Sequence, residues 1–216
     1  MKIFLVRHGE SIGNAKQSMY FKKLDSELEI TGKGESDSLD AADRIINIME
    51  SFKDEEYPSQ ETTNFNVFHS TYRRATQTSD MLCARIGIKA KYNIANSITT
   101  PLCREREWGS LREDIQNAFD RNTLFNFYYK PVGGESFADC FTRVAVFHQW
   151  MVSTTKYQNN IVVSHGEFIK LYLMFLLKWD INEFDKWNTP RNGEVFLIDD
   201  GELSSATPLT INTRKR

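Results

Sequence analysis

The sequence predicts an α/β fold with a mainly parallel central sheet and helices on both faces. Two observations carry this reading. Ile3-Phe4-Leu5-Val6, Ile161-Val162-Val163 and Val195-Phe196-Leu197-Ile198 are continuous apolar runs, the pattern of strands buried on both faces. Between such runs lie segments with apolar residues at steps of three and four, the pattern of helices packed on one side. Alternation of the two along the chain is the signature of a sheet covered front and back.

Taken in order, residues 2–6 form the first strand and deliver Arg7-His8 to its carboxyl end, where Gly9 permits a sharp turn. After a polar stretch, Leu39, Ala42, Ile45, Ile46, Met49 and Phe52 define a helix from near Thr31 to near Phe52. Residues 53–64 are polar and read as a surface loop. Phe65 to His69 is a second strand. Ser70 to Arg74 leads into a helix bearing Ala75, Thr78, Leu82 and Ile86, with Gly87 as its expected C′ residue. Residues 90–102 read as extended, and Gly133-Gly134 as a turn. A helix then carries Phe137, Phe141, Val144, Phe147 and Met151. Asn160 to Ser164 is another strand, ending in His165-Gly166 before an apolar helix at 167–178, and Val195 to Ile198 is the last strand. No repeat or linker interrupts this pattern, so residues 1–216 are expected to form a single domain.

Composition narrows the function. The 27 basic and 29 acidic residues give a net charge of −2, which argues against nucleic acid or an anionic membrane as a bulk partner. The longest apolar stretch, Leu171 to Leu177, is far short of the ~20 residues that cross a bilayer. The first apolar run is too short for a signal peptide and breaks at Arg7, so the chain is expected to begin within its fold. Cys83, Cys103 and Cys140 are widely separated, which favours a reducing, cytoplasm-like compartment over a disulfide framework or a zinc site. None has an arginine six residues on, so cysteine is not the expected nucleophile. No H-E-x-x-H or comparable ligand spacing appears, and neither a metal nor another cofactor is expected.

Three strand ends present Arg7-His8, Arg73-Arg74 and His165, and open α/β sheets gather such residues in one crevice. Guanidinium groups match phosphate oxygens bidentately without titrating, so the cluster points to a small phosphorylated ligand. His69 and His148 lack this context and read as structural.

These residues also lie in recognisable blocks. Leu5-Val6-Arg7-His8-Gly9-Glu10-Ser11 resembles the signature of the histidine phosphatase superfamily, which includes the cofactor-dependent phosphoglycerate mutases. Ser70 to Thr78 resembles its S-P-x-x-R-A-x-Q-T block, Leu102 to Gly109 its acidic block, and Val163 to Gly166 its second histidine block. Four blocks in order are far more specific than any one. The mutase-like branch is suggested further by Phe127-Tyr128-Tyr129, Gly133-Gly134-Glu135-Ser136 and Asn192-Gly193-Glu194.

The resemblance implies a phosphoglycerate mutase-like fold with a lid-like helical excursion at about 110–132, where Phe119, Phe125, Phe127, Tyr128 and Tyr129 cluster. It implies His8 as the nucleophile that forms a phosphohistidine, with Arg7, Arg74 and His165 holding the phosphoryl oxygens. Glu105 corresponds to the proton donor, a role that needs a raised pKa, and Glu107 is the weaker candidate. Asn14 matches a phosphate-contacting asparagine, with Ser11 and Gly166 as further binding positions, and Arg73 reads as a rim charge. The expected activity is phosphomonoester hydrolysis. Mutase-type phosphoryl transfer and a silent phospho-ligand-binding module are the alternatives. Gly9 to Gly13 also spells G-x-S-x-G, but only ten residues precede Ser11, too few for the earlier strands an α/β-hydrolase places there.

Overall fold

A computed structural model describes residues 1–52, 64–90, 92–109, 126–155 and 158–204. Six strands form one sheet in the order β3-β2-β4-β1-β5-β6. They are β1 (Lys2–Arg7), β2 (Asn64–Ser70), β3 (Asn93–Thr100), β4 (Asn159–Ser164), β5 (Val195–Asp199) and β6 (Glu202–Leu203). Pairings from β3 through β1 are parallel, whereas β5 runs antiparallel to β1 and β6 antiparallel to β5. The expected mainly parallel sheet is therefore present, with an antiparallel margin.

The apolar runs occupy the middle because both their faces are covered. Ile3 and Leu5 point into a core shared with Phe68, Val162, Phe147, Phe168 and Tyr172, under α4 (Phe137–Thr155) and α5 (Gly166–Leu176). Phe4 and Val6 point the opposite way into a core with Ile161, Val163, Ile45 and Leu82, under α2 (Gly32–Ser51) and α3 (Arg73–Lys89). A strand's period of two makes this division unavoidable. At one edge β3 reads Asn-Ile-Ala-Asn-Ser-Ile-Thr-Thr and is largely exposed, and its polar side chains suit an unpaired edge.

The remaining elements are short: α1 (Ile12–Ala15), α6 (Ile181–Lys186) and 3₁₀ turns at Gln17–Phe21, Asp25–Glu27 and Pro101–Cys103. The sequence reading leaves 14–30 and the α6 region without structure, since one or two helical turns carry too little periodicity to register. Thr31 caps α2 by accepting the Gly34 N–H. Gly87 does not end α3, which runs on to Lys89, because Ile86 remains buried and α3 has no need of a left-handed residue there. Nor does Gly9 serve a positive φ. Its role is close approach, for a Cβ there would lie 2.1 Å from the Gly34 carbonyl oxygen in the first turn of α2. Among the described residues no helix is long and apolar enough to cross a membrane.

The proposed lid at 110–132 falls mostly outside the described residues, including Phe119 and Phe125. Its last part is described: Phe127 is buried against Phe137 and Phe184, and Tyr128 is exposed.

Phe147 is fully buried and meets Phe68, Trp150, Phe168 and Tyr172 edge-on or tilted. Phe147→Ala is expected to cost about 3–5 kcal/mol of stability, measured by denaturant unfolding, through lost burial and the cavity left behind.

Candidate active site

Parallel pairing of β1 with β4 sets Arg7 opposite Ser164, and the His8 N–H donates to the Ser164 carbonyl at 2.9 Å. His8 and His165 consequently leave adjacent strand ends side by side, their rings 5.1 Å apart and edge to face. Strand β2 lies on the other side of β4 and brings Ser70, whose hydroxyl is 2.8 Å from His165 Nε2. Arg74 comes from the first turn of α3. Glu105 follows the 3₁₀ turn after β3. Five separate segments thus converge at the carboxyl end of the parallel strands, as such sheets dictate.

Hydrogen bonds define the state of His8. Its Nδ1 lies 2.7 Å from the Gly9 carbonyl oxygen, which can only accept, so Nδ1 carries the proton. The Arg74 Nε–H donates to Nε2 at 3.1 Å, which requires a lone pair there. Burial first, then the Arg74 and Arg7 charges, holds His8 well below the ordinary histidine value. Its lone pair is available over a wide pH range.

Arg74 is 3% exposed and fixed by Asp25, with Nη1 2.8 Å from the carboxylate and 2.6 Å from the Asp25 carbonyl oxygen. Such a partner is what permits a buried guanidinium. Arg7 Nη1 donates to the Pro190 carbonyl at 2.5 Å, whereas its Nε is buried without a partner. His165 Nδ1 is likewise buried and unpartnered. Ser70 Oγ accepts the Tyr72 N–H and stands 2.8 Å from His165 Nε2, which leaves His165 Nδ1 as the ring nitrogen without a partner. His165 is also held well below its ordinary value, by burial and then by Arg74. Arg7 Nε–H, a buried donor without an acceptor, is the chemistry of an anion site, and His165 Nδ1 is a second buried polar atom left unpartnered.

Glu105 lies against the amino end of α5. Its Oε1 accepts the N–H groups of Arg106 and Phe168, each at 3.1 Å, and its Oε2 that of Glu167 at 3.4 Å. Burial, then the Glu167 carboxylate, pushes its pKa up to about 7 against the opposing Arg106 N–H, Arg7 and Arg74. The Glu107 carboxylate accepts the N–H of Gly109 in its own loop at 3.4 Å, and its backbone N–H donates to Glu135 Oε2 at 3.0 Å.

The other expected positions divide. Asn14 sits beside the end of β1, where its Oδ1 accepts from Asn192 Nδ2 at 3.0 Å, and Asn192 Nδ2 also donates to the His8 carbonyl. Ser11 is fully buried as the cap of α1, its hydroxyl donating to Asn14 Oδ1 and accepting the Asn14 N–H. Gly166 lies against Arg7: a Cβ there would be 3.4 Å from the guanidinium carbon and 2.5 Å from Thr189 Cγ2. Arg73 is exposed and paired with Glu29, as a rim charge. His69 bonds Thr99 and His148 bonds Tyr172, both structural. All three cysteines are free, and burial raises each thiol's pKa, so none is a poised thiolate. Sequence reasoning missed Asp25, Ser70, Asn192, Arg106 and Glu167 as parts of the site. Ser70, Arg106 and Asn192 lie in quoted blocks, whereas Asp25 and Glu167 carried no signal.

This sheet, with its site at the carboxyl end of β1 and β4, makes the molecule a phosphoglycerate mutase-like α/β protein. The solved structure of mycobacterial glucosyl-3-phosphoglycerate phosphatase matches it with a TM-score of 0.67, covering 98% of this chain and 96% of that one at 16% identity. A sequence profile of the histidine phosphatase superfamily (branch 1) matches residues 3–202, and the chain belongs to that superfamily. Phosphoglycerate mutase-like protein AT74 of Arabidopsis thaliana is 25% identical over 219 residues, covering 93% of this chain and 65% of its own length. This chain therefore spans less than two thirds of that relative. The broad-range acid phosphatase DET1 of Saccharomyces cerevisiae is 26% identical over 109 residues, 46% of this chain and 33% of its own.

Gly166→Ala is expected to weaken inorganic phosphate or vanadate binding by about tenfold or more, roughly 1.4 kcal/mol, by crowding Arg7. Adding Thr189→Ala, which removes the nearest clash, should recover part of the affinity in a calorimetric titration.

Proposed function

We propose that the protein is a phosphomonoester hydrolase that acts through a phosphohistidine on His8. The observation that carries this reading is the tautomer of His8: a neutral imidazole whose unprotonated Nε2 accepts the Arg74 Nε–H, beside the unpartnered Arg7 Nε–H and His165 Nδ1. Phosphatase-named relatives in the same superfamily support it.

In the first step the Nε2 lone pair attacks phosphorus, and the bond to the leaving oxygen breaks with its electron pair on that oxygen. Glu105, protonated below about pH 7, supplies the proton. Arg74 turns its hydrogen bond from Nε2 to a phosphoryl oxygen, while Arg7 Nε and His165 Nδ1 bind the others, so charge on the transferring group meets donors already in place. In the second step Glu105, now a carboxylate, takes a proton from water as its oxygen attacks phosphorus. The P–N bond breaks, and inorganic phosphate leaves His8 neutral again. The substrate is a small phosphorylated molecule, and the reducing, cytoplasmic setting we propose suits the free thiols. No step uses a metal, so full turnover in EDTA is expected, and a loss reversed by added metal would count against the scheme.

His8→Ala is expected to eliminate turnover. For phenyl phosphate, kcat/KM should fall about tenfold per pH unit above about pH 7, as the general acid is lost. Glu105→Gln should lower it about 10²–10⁴-fold and abolish that limb, with a smaller loss for p-nitrophenyl phosphate, whose leaving group needs less protonation. Phosphorus NMR with 3-phosphoglycerate and 2,3-bisphosphoglycerate separates hydrolysis from the mutase alternative: rapid formation of 2-phosphoglycerate would overturn the hydrolase reading.

A further inference from the structure

Arg106 and Glu167 lie beside the catalytic cluster and form a contact that the proposed reaction does not use. Arg106 is 3% exposed, yet its guanidinium makes a two-pronged pair with Glu167, Nε to Oε2 at 2.7 Å and Nη2 to Oε1 at 3.3 Å. Its Nη1 donates to the Glu135 carbonyl, and the guanidinium carbon stands 4.2 Å from the centre of the Phe137 ring. Burying two charges is costly unless geometry and further hydrogen bonds compensate, so the pair requires a reason beyond stability.

The connectivity supplies one. Glu105 and Arg106 are neighbours in the chain, and both hold residue 167. The Glu105 carboxylate takes the backbone N–H groups of Glu167 and Phe168, and Arg106 takes the Glu167 side chain. With both attachments made, the acid-bearing loop is fixed to the first turn of α5, immediately after His165 and Gly166. We propose that Glu167, held by Arg106, is a positioning residue for the proton donor, fixing Glu105 at the amino end of α5 and setting a second carboxylate beside it. The inference rests on Glu105 being the proton donor of the proposed hydrolase.

The surroundings of Glu105 agree. Arg7 from β1 and Arg74 from α3 favour its ionised form, as do the α5 amides. Arg143 from α4 reaches the Glu105 carbonyl with Nη2 at 3.3 Å but is neutralised by Glu135 at 2.8 Å. Tyr72 is uncharged, with its hydroxyl pushed up to about 12. Against these cations, the Glu167 carboxylate is the neighbouring charge that favours the protonated form needed to give a proton. That carboxylate in turn secures the charge of Arg106 against its burial. Two carboxylates thus divide the work: Glu167 is tied to Arg106 and Glu105 exchanges protons.

The test is Glu167→Gln, which keeps size and a hydrogen-bonding oxygen for Arg106 but removes the charge. Two readouts are taken on the full chain: the alkaline limb of kcat/KM for phenyl phosphate, and the titration of the Glu105 carboxyl followed by carbon-13 NMR, assigned with Glu105→Gln. Both should move to lower pH by about one unit, with kcat/KM near pH 7 lowered several-fold. If Glu167→Gln does not fold, Glu167→Met with Arg106 retained removes the same charge and should give the same downward displacement. A folded variant with the wild-type Glu105 titration overturns the inference. The NMR titration needs no turnover. A protein that lacks hydrolysis but retains the displaced titration would refute the proposed reaction while leaving the electrostatic pairing supported.

Discussion

The structure depends on one pairing, that of β1 with β4 in parallel register. It sets Arg7 opposite Ser164, so the residues that follow, His8 and His165, emerge at the same level of the sheet. A slip of one residue would turn every side chain of β1 to the other face, exchanging the Ile3 and Leu5 core for that of Phe4 and Val6. Large apolar residues on both faces therefore make register, and with it the spacing of the two histidines, a property of the whole core. The chemistry at the strand ends inherits its geometry from packing well below it.

A second constraint is electrostatic. Arg7, Arg74 and two histidines are gathered in one enclosed place by a chain of net charge −2. Burial is tolerated because each fixed charge has an assigned counterpart: Asp25 for Arg74, the Pro190 carbonyl for Arg7, and Glu167 for Arg106. The same burial keeps both histidines neutral. Cations in a place with little water act on neighbouring groups more strongly than they would at the surface. They lower histidine affinity for protons, and a carboxylate can remain an acid there only if enclosure and a second carboxylate outweigh them.

The sheet was legible in the sequence because strands buried on two faces leave an unbroken apolar signature, and α2 and α4 because their stripes persist for several turns. Edge strand β3 was read as extended, but β6 and α6 are too short to show a period. Of the site, His8, Arg74, His165 and Glu105 were legible as recurring strand-end residues or as parts of recognisable blocks. Their partners were not. Asp25 lies 49 residues from Arg74, and Glu167 lies 61 residues from Arg106. A lone acidic residue in a polar stretch looks like any solvated charge until the fold brings its partner to it. The capping role of Ser11 was equally hidden: its place in the block suggested a ligand contact, and only the fold shows its hydroxyl bonded to Asn14 at the start of α1.

The loop before β5 closes over the end of β1. Pro190 receives Arg7, Asn192 donates to the His8 carbonyl, and Gly193 donates to the Arg7 carbonyl. These contacts join residues as far as 186 positions apart, Gly193 to Arg7. Closing so long a span is slow relative to local helix formation. During synthesis, the strand carrying His8 waits for β4 at Asn159–Ser164 and then for β5 at Val195–Asp199 before its two sides are paired. A nascent chain that stops short of β5 therefore holds the histidine without half of its framework, and the cluster at the strand ends is completed late, with the sheet.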